Sequence, residues 1–182
     1  MKIGITSVKI NSLKFCLLFM LLAGSSRVYA QDIAPRNYSL NSTSDFRQYE
    51  SDVLKCINWL AEHPRTFNPE ERRKAEDFLV KWIYGSPYVN IIIEPYIMKL
   101  SSKNADLLLS FMFGYAQYQL EHLGDKNLVP ANIAGIAHLV KDYQLNLNNL
   151  EKDPLIEKVV ILEKEGKLTD WLLPQLEQKK LN

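Results

Sequence analysis

Apolar positions recur along the chain at helical spacing, and proline, glycine or asparagine interrupts the pattern at intervals. Tyr49, Val53, Cys56, Ile57 and Leu60 stand three or four apart, which predicts one helix from Ser44 or Asp45 to about His63, stopped by Pro64. The next start is the best marked: Asn68 is placed to cap, Pro69 takes the first helical position, and Glu71 completes a capping-box-like pattern. Phe78, Leu79, Trp82 and Ile83 form its stripe, with Gly85 expected as a left-handed end. The short loop between these two helices predicts an antiparallel hairpin.

From Asn104 to Gly124 the polar face almost vanishes. A helix apolar nearly all round belongs inside a fold, so this stretch is predicted to be the central helix, with Leu108, Phe111 and Tyr115 buried. Gly114 within it costs about 1 kcal/mol against alanine unless something packs there. Close approach to another helix is therefore expected at Gly114, Ala134 and Gly135. A fourth helix runs from Pro130 to about Tyr143, a fifth from Asp153-Pro154 to Gly166, and Thr169 or Asp170 starts a last turn limited by Pro174.

The pattern changes at 86–102. Val89, Ile91 and Ile93, then Tyr96, Met98 and Leu100, alternate with other side chains, which predicts a short extended or hairpin insert near 88–100. Pro95 forbids one continuous central strand, and a short helix starting there is the alternative. The fold class is mainly α: a single-domain bundle of about five helices over 45–177, without internal repeats.

The ends differ from this domain. Lys2, Lys9 and Lys14 precede an apolar run from Phe15 to Gly24, followed by Val28-Tyr29-Ala30. That layout predicts a signal peptide over 1–30, the run being too short to span a bilayer, with an uncut anchor as the alternative. Cys16 lacks the small residue that precedes a lipoprotein cysteine. Residues 31–44 are expected to be a flexible leader and 178–182 a polar tail. Asn41-Ser42-Thr43 fits a glycosylation sequon, relevant only in a eukaryotic secretory pathway.

Cleavage after Ala30 leaves 152 residues, enough for one sizeable core. It removes four of the 22 basic residues and none of the 21 acidic ones, so the mature chain has a formal net charge of −3. With no basic block, no nucleic-acid partner is expected. Cys56 alone remains, on an apolar stripe, so it is read as a buried small hydrophobe; a reactive thiol or an intermolecular disulfide is the alternative.

The candidate chemistry is thin. His63, His122 and His138 form no His-Glu-x-x-His pattern, and there is no cysteine pair, so no metal site or cofactor is expected. In an antiparallel pair of third and fourth helices, His122 and His138 stand roughly 9 Å apart along the axis, too far for a shared metal. His138 and Asp142, four apart, could pair as base and orienter, but no nucleophile motif accompanies them. Trp82, Tyr84, Tyr88 and Tyr96 cluster around Gly85-Ser86-Pro87. They fill the core and cap a helix, or they form an aromatic recognition patch.

Several segments together carry a resemblance: Trp59-Leu60-Ala61-Glu62-His63-Pro64, Phe78 to Pro87, Leu109 to Ala116, Asn132 to Ile136, and Glu165-Gly166-Lys167-Leu168. From about Leu54 to Leu172 the chain resembles a family of exported, mainly helical, uncharacterised proteins of Bacteroidota-type bacteria, a domain of unknown function with no established activity. The resemblance implies a periplasmic or secreted address and nothing about catalysis. The expected function is a non-catalytic cell-envelope or secreted binding protein for a protein, peptide or glycan partner, without a transmembrane segment after cleavage. The alternative is an envelope-acting hydrolase whose site is assembled from residues distant in sequence.

Overall fold

The computed structural model describes residues 32–177, and among these the chain forms eight helices and no strand. They are α1 (Thr43–Gln48), α2 (Glu50–Glu62), α3 (Pro69–Gly85), α4 (Pro95–Leu100), α5 (Leu107–Glu121), α6 (Leu128–Leu145), α7 (Pro154–Lys164) and α8 (Leu168–Glu177). The mainly α class holds, while the count of about five helices does not. The first predicted helix is two, because the chain turns at Tyr49 to send Phe46 inward against Trp82. A capping box starts α1: Ser42 Oγ accepts the Asp45 amide, and the Asp45 carboxylate accepts the Ser42 amide.

The extended or hairpin insert is also corrected. Residues 89–94 have no regular structure, and Pro95 opens the short helix α4. Tyr96, Ile97 and Leu100 are its buried residues, a helical spacing that the alternation at 96, 98 and 100 had masked. The last turn is a full helix, α8, with Pro174 inside it.

Two caps show how the sequence fixes its turns. Asn68 adopts φ 42°, the one non-glycine left-handed residue among those described, and its side chain accepts the Glu71 amide. Asparagine tolerates this conformation better than most side chains. Gly85 is not left-handed, contrary to expectation; Ser86 ends α3 in extended conformation. Space explains the glycine instead, since a Cβ there would lie 2.6 Å from Phe46 Cζ.

The core has two apolar clusters, and α5 belongs to both. Leu107, Phe111 and Tyr115 face the cluster built with α4, α6, α7 and α8. Phe113 and Ala116 face the cluster built with α1, α2 and α3. Being packed on two sides is why α5 has almost no polar face. Leu108, expected to be buried, is half-buried at the edge of the first cluster.

The most extensive helix pair is α5 with α6, and glycines set its closeness. A Cβ on Gly114 would stand 2.6 Å from the Ala134 carbonyl oxygen and 2.6 Å from His138 Cγ. A Cβ on Gly135 would stand 2.6 Å from the Phe111 ring and 2.9 Å from its carbonyl oxygen. Each helix thus seats a glycine against the other.

The stretch expected as a flexible leader is fastened in its described part. The Ile33 amide donates to Glu71 Oε1 at 2.7 Å, Cys56 Sγ donates to the Ile33 carbonyl at 3.4 Å, and Ala34 is buried. Tyr38 meets Phe78 edge to face at 4.9 Å. Residues 43 and 44 already lie in α1.

Gly114→Ala is expected to destabilise the protein. The alanine gains at most about 1 kcal/mol of helix propensity, but it forces backbone apart, and overpacking of this kind costs about 1–3 kcal/mol. Urea unfolding checks it: a midpoint equal to or above wild type with an unchanged slope would show that the two helices separate at no cost.

Candidate functional site

The four aromatic candidates do not form one surface. Trp82 is fully buried in the α1–α3 cluster, and its indole N–H donates to the Phe46 carbonyl at 2.9 Å. Tyr96 is buried in the other cluster, edge to face with Trp171, and its hydroxyl donates to Asn132 Oδ1. Tyr88 is half-buried, with the Arg47 guanidinium 5.4 Å above its ring. Tyr84 stands alone at 94% exposure. Closeness in sequence misled here, because the end of α3 and the start of α4 feed different clusters.

A second aromatic group went unnoticed in the sequence. His63 stacks on Trp59 at 4.7 Å and on Phe67 at 4.6 Å, and its Nδ1 lies 2.8 Å from the Trp59 carbonyl. The four-residue spacing of Trp59 and His63 on one helix was the available signal.

The densest polar group gathers around Asp142 on α6. Its Oδ2 takes the Arg65 Nη2 at 2.5 Å and the Ser110 hydroxyl at 2.5 Å. Its Oδ1 takes the Asn146 amide at 2.8 Å and the Arg65 Nε at 3.3 Å. Arg65 also donates its backbone N–H to Asn146 Oδ1 and its Nη1 to Asp106. The Asp142 side chain is 5% exposed and that of Arg65 18%. Every partner is a donor and both carboxylate oxygens are engaged, so Asp142 is occupied as an acceptor.

His138 and Asp142, which could have paired, share no hydrogen bond among the described residues. His138 packs against Gly114, and burial lowers its pKa, with Lys141 adding to the effect. The cavity beside it, lined in part by Ile57, Arg72, Ser110 and Phe113, has a volume of about 10 Å³, the lower limit for one water. Ser110 donates to a carboxylate rather than to an imidazole, which is not the arrangement that activates a nucleophile. His122 is far from this group in kind as well as place: exposed, it stacks on Tyr118 at 4.1 Å. Among the described residues, no group of three or more His, Cys, Asp or Glu side chains is placed to hold a metal. The Cys56 thiol is pushed up to about 12 by burial and then by Asp52, which leaves it a poor nucleophile.

The open surface has a different character. A hollow of about 760 Å³ lies between α4 and the start of α7, with Ile93, Pro95, Met98 and Leu155 among its walls. A second, of about 690 Å³, flanks the same first turn of α7 and includes Pro154, Ile161 and Leu162. Met98 and Ile161 are both 55% exposed. These volumes fall in the range of ligand pockets, though both hollows are open to solvent. Among the described residues, no helix is long and apolar enough to cross a membrane.

An all-helical domain with its central polar group internally satisfied and apolar hollows at its edge is the class that fold and site define. No family model matches the chain, nor does any curated protein or solved structure.

Asp142→Ala is expected to cost about 3 kcal/mol, the low end for breaking a buried pair, because Arg65 keeps Asp106 and some water. A loss below about 1 kcal/mol in urea unfolding would place the pair among weak surface bridges.

His138 predicts a pH dependence with a definite sign. Its folded pKa lies below the ordinary value of 6.5, so the unfolded chain binds the proton more readily. Stability is therefore full above 6.5 and falls as pH drops toward the folded pKa. The groups acting on it are Lys141, Glu121 and Asp142. His138→Gln should flatten the stability profile on the acid side of pH 6.5; an unchanged slope there would assign the loss to other groups.

Proposed function

We propose that this is an exported, non-catalytic binding protein of the cell envelope, acting after removal of residues 1–30, with a protein, peptide or glycan as partner. The resemblance to the Bacteroidota-type exported family supports the address. One contrast carries the binding reading. The carboxylate best placed for chemistry, Asp142, is held by Arg65, Ser110 and Asn146, while apolar side chains such as Met98 and Ile161 stand in solvent beside open hollows. Polar groups engaged in the fold serve stability; exposed apolar side chains around a concavity serve contact.

The test is photo-crosslinking in the native host. A photoreactive residue replaces Tyr84, Met98 or Leu123, all well exposed, and the mature protein is recovered after irradiation. A discrete higher-mass adduct from at least one position, on a chain whose mass begins at Gln31, is the expected result. Folded protein that gives no adduct from any position would overturn the binding reading, and a chain retaining Met1 to Ala30 would overturn the export reading.

A further inference from the structure

The two hollows on either side of the α7 start are lined by four lysines, Lys99, Lys103, Lys152 and Lys158, against two acids, Asp153 and Glu157. The ammonium groups of Lys99, Lys152 and Lys158 have no ion-pair or hydrogen-bond partner among the described residues, and all three residues are exposed. Three nearby acids have partners within the fold, and of these Glu151 is paired with a cation. Glu151 pairs with Lys103 at 3.1 Å. Glu157 accepts the Tyr143 hydroxyl at 2.9 Å. Asp153 is buried and caps α7 through the Leu155 amide. The result is an apolar floor whose lining holds more lysines than carboxylates, on a mature chain whose formal net charge is negative.

Resting on the binding reading, we propose that this α4–α7 surface docks a peptide segment that alternates apolar and acidic side chains. The apolar floor of Ile93, Met98 and Leu155 would take one anchor, and Ile161 on the far side of the turn a second. The carboxylates would meet Lys99, Lys152 and Lys158. Unpaired lysines can meet a carboxylate without first breaking an ion pair, so the charge match favours an anionic occupant and steers its approach. Concavity favours a narrow segment over a lipid surface: two hollows divided by a helical turn accept separate side chains, whereas an interfacial element lays one broad apolar face on the bilayer.

The experiment uses the mature chain and fluorescence anisotropy with labelled synthetic peptides of equal length, one of alternating leucine and glutamate, one of alternating leucine and lysine. Phosphatidylglycerol vesicles are a third probe. The leucine–glutamate peptide should bind, and its Kd should rise about tenfold or more between about 0.05 M and about 0.5 M salt. The double variant Lys99→Glu/Lys158→Glu should lose that binding and gain the leucine–lysine peptide. Its thermal unfolding should match wild type, because neither lysine has a partner to lose. Failure of the wild type to bind the acidic peptide, or binding that survives charge reversal, would overturn the proposal. Vesicle binding without peptide binding would also overturn it and assign the surface to lipid. The binding reading is judged separately: crosslinks from Tyr84 or Leu123 with none from Met98 would remove this site and leave that reading standing, whereas no crosslink anywhere would remove both.

Discussion

The closeness of α5 and α6 is the constraint that the rest of the molecule depends on. Gly114 lies against the Ala134 carbonyl and His138, and Gly135 against the Phe111 ring and carbonyl. Neither helix can gain a side chain at these positions without pushing backbone away. The seating brings Ser110, four residues before Gly114, within hydrogen-bond reach of Asp142, seven residues after Gly135. It also presents the opposite face of α5, Phe113 and Ala116, to the α1–α3 cluster. No other helix among the described residues contributes buried side chains to both clusters, so the intrinsic cost of a glycine in a helix is offset by the contact it permits.

Two arginines from different places hold the α2–α3 hairpin, one within it and one to this pair. Helix α2 has no basic residue in its last turn. Its carbonyl ends are met from α3, where Arg72 Nη2 donates to Leu60 O at 3.1 Å and to His63 O at 2.6 Å. A cation at a helix C-terminus satisfies carbonyls that the helix itself cannot, and opposes the partial negative charge there. Arg65, in the loop that follows, reaches the far end of α6 through Asp142 and Asn146. One arginine closes the hairpin and the other attaches it. The Asp142 group is therefore explained by the fold, and this is what moves attention from the centre of the molecule to its edge.

Two proline-marked helix starts and the central helix were readable in the sequence, and the site was not. Asn68-Pro69 and Asp153-Pro154 start α3 and α7 where the side-chain chemistry says they should, because a cap is a local interaction. The burial of α5 was readable because an all-round apolar helix has few alternatives. The break at Tyr49 was hidden, since the apolar stripe runs straight through it. The insert was misread because alternation at 96, 98 and 100 resembles a strand, while burial follows 96, 97 and 100. The Asp142 group joins residues 32 and 77 apart in the chain, and only the spacing of His138 and Asp142 was visible, which pointed to a partner that Asp142 does not use.

Fastening of residues 32–40 links folding to the proposed export. Signal processing needs an accessible chain near the cut, yet Ile33 is held at both its backbone groups, by Glu71 from α3 and Cys56 from α2. Those two helices must already be in register for the two bonds to form together. Docking of this stretch therefore depends on the register of the hairpin, which Arg72 holds at the α2 terminus. Under the proposed export the cut precedes this docking; in the folded domain the segment lies against Cys56, whose buried thiol donates to the Ile33 carbonyl. The stretch that composition marks as a loose leader is thus a part of the α1–α3 cluster, its order imposed by partners that sequence distance conceals.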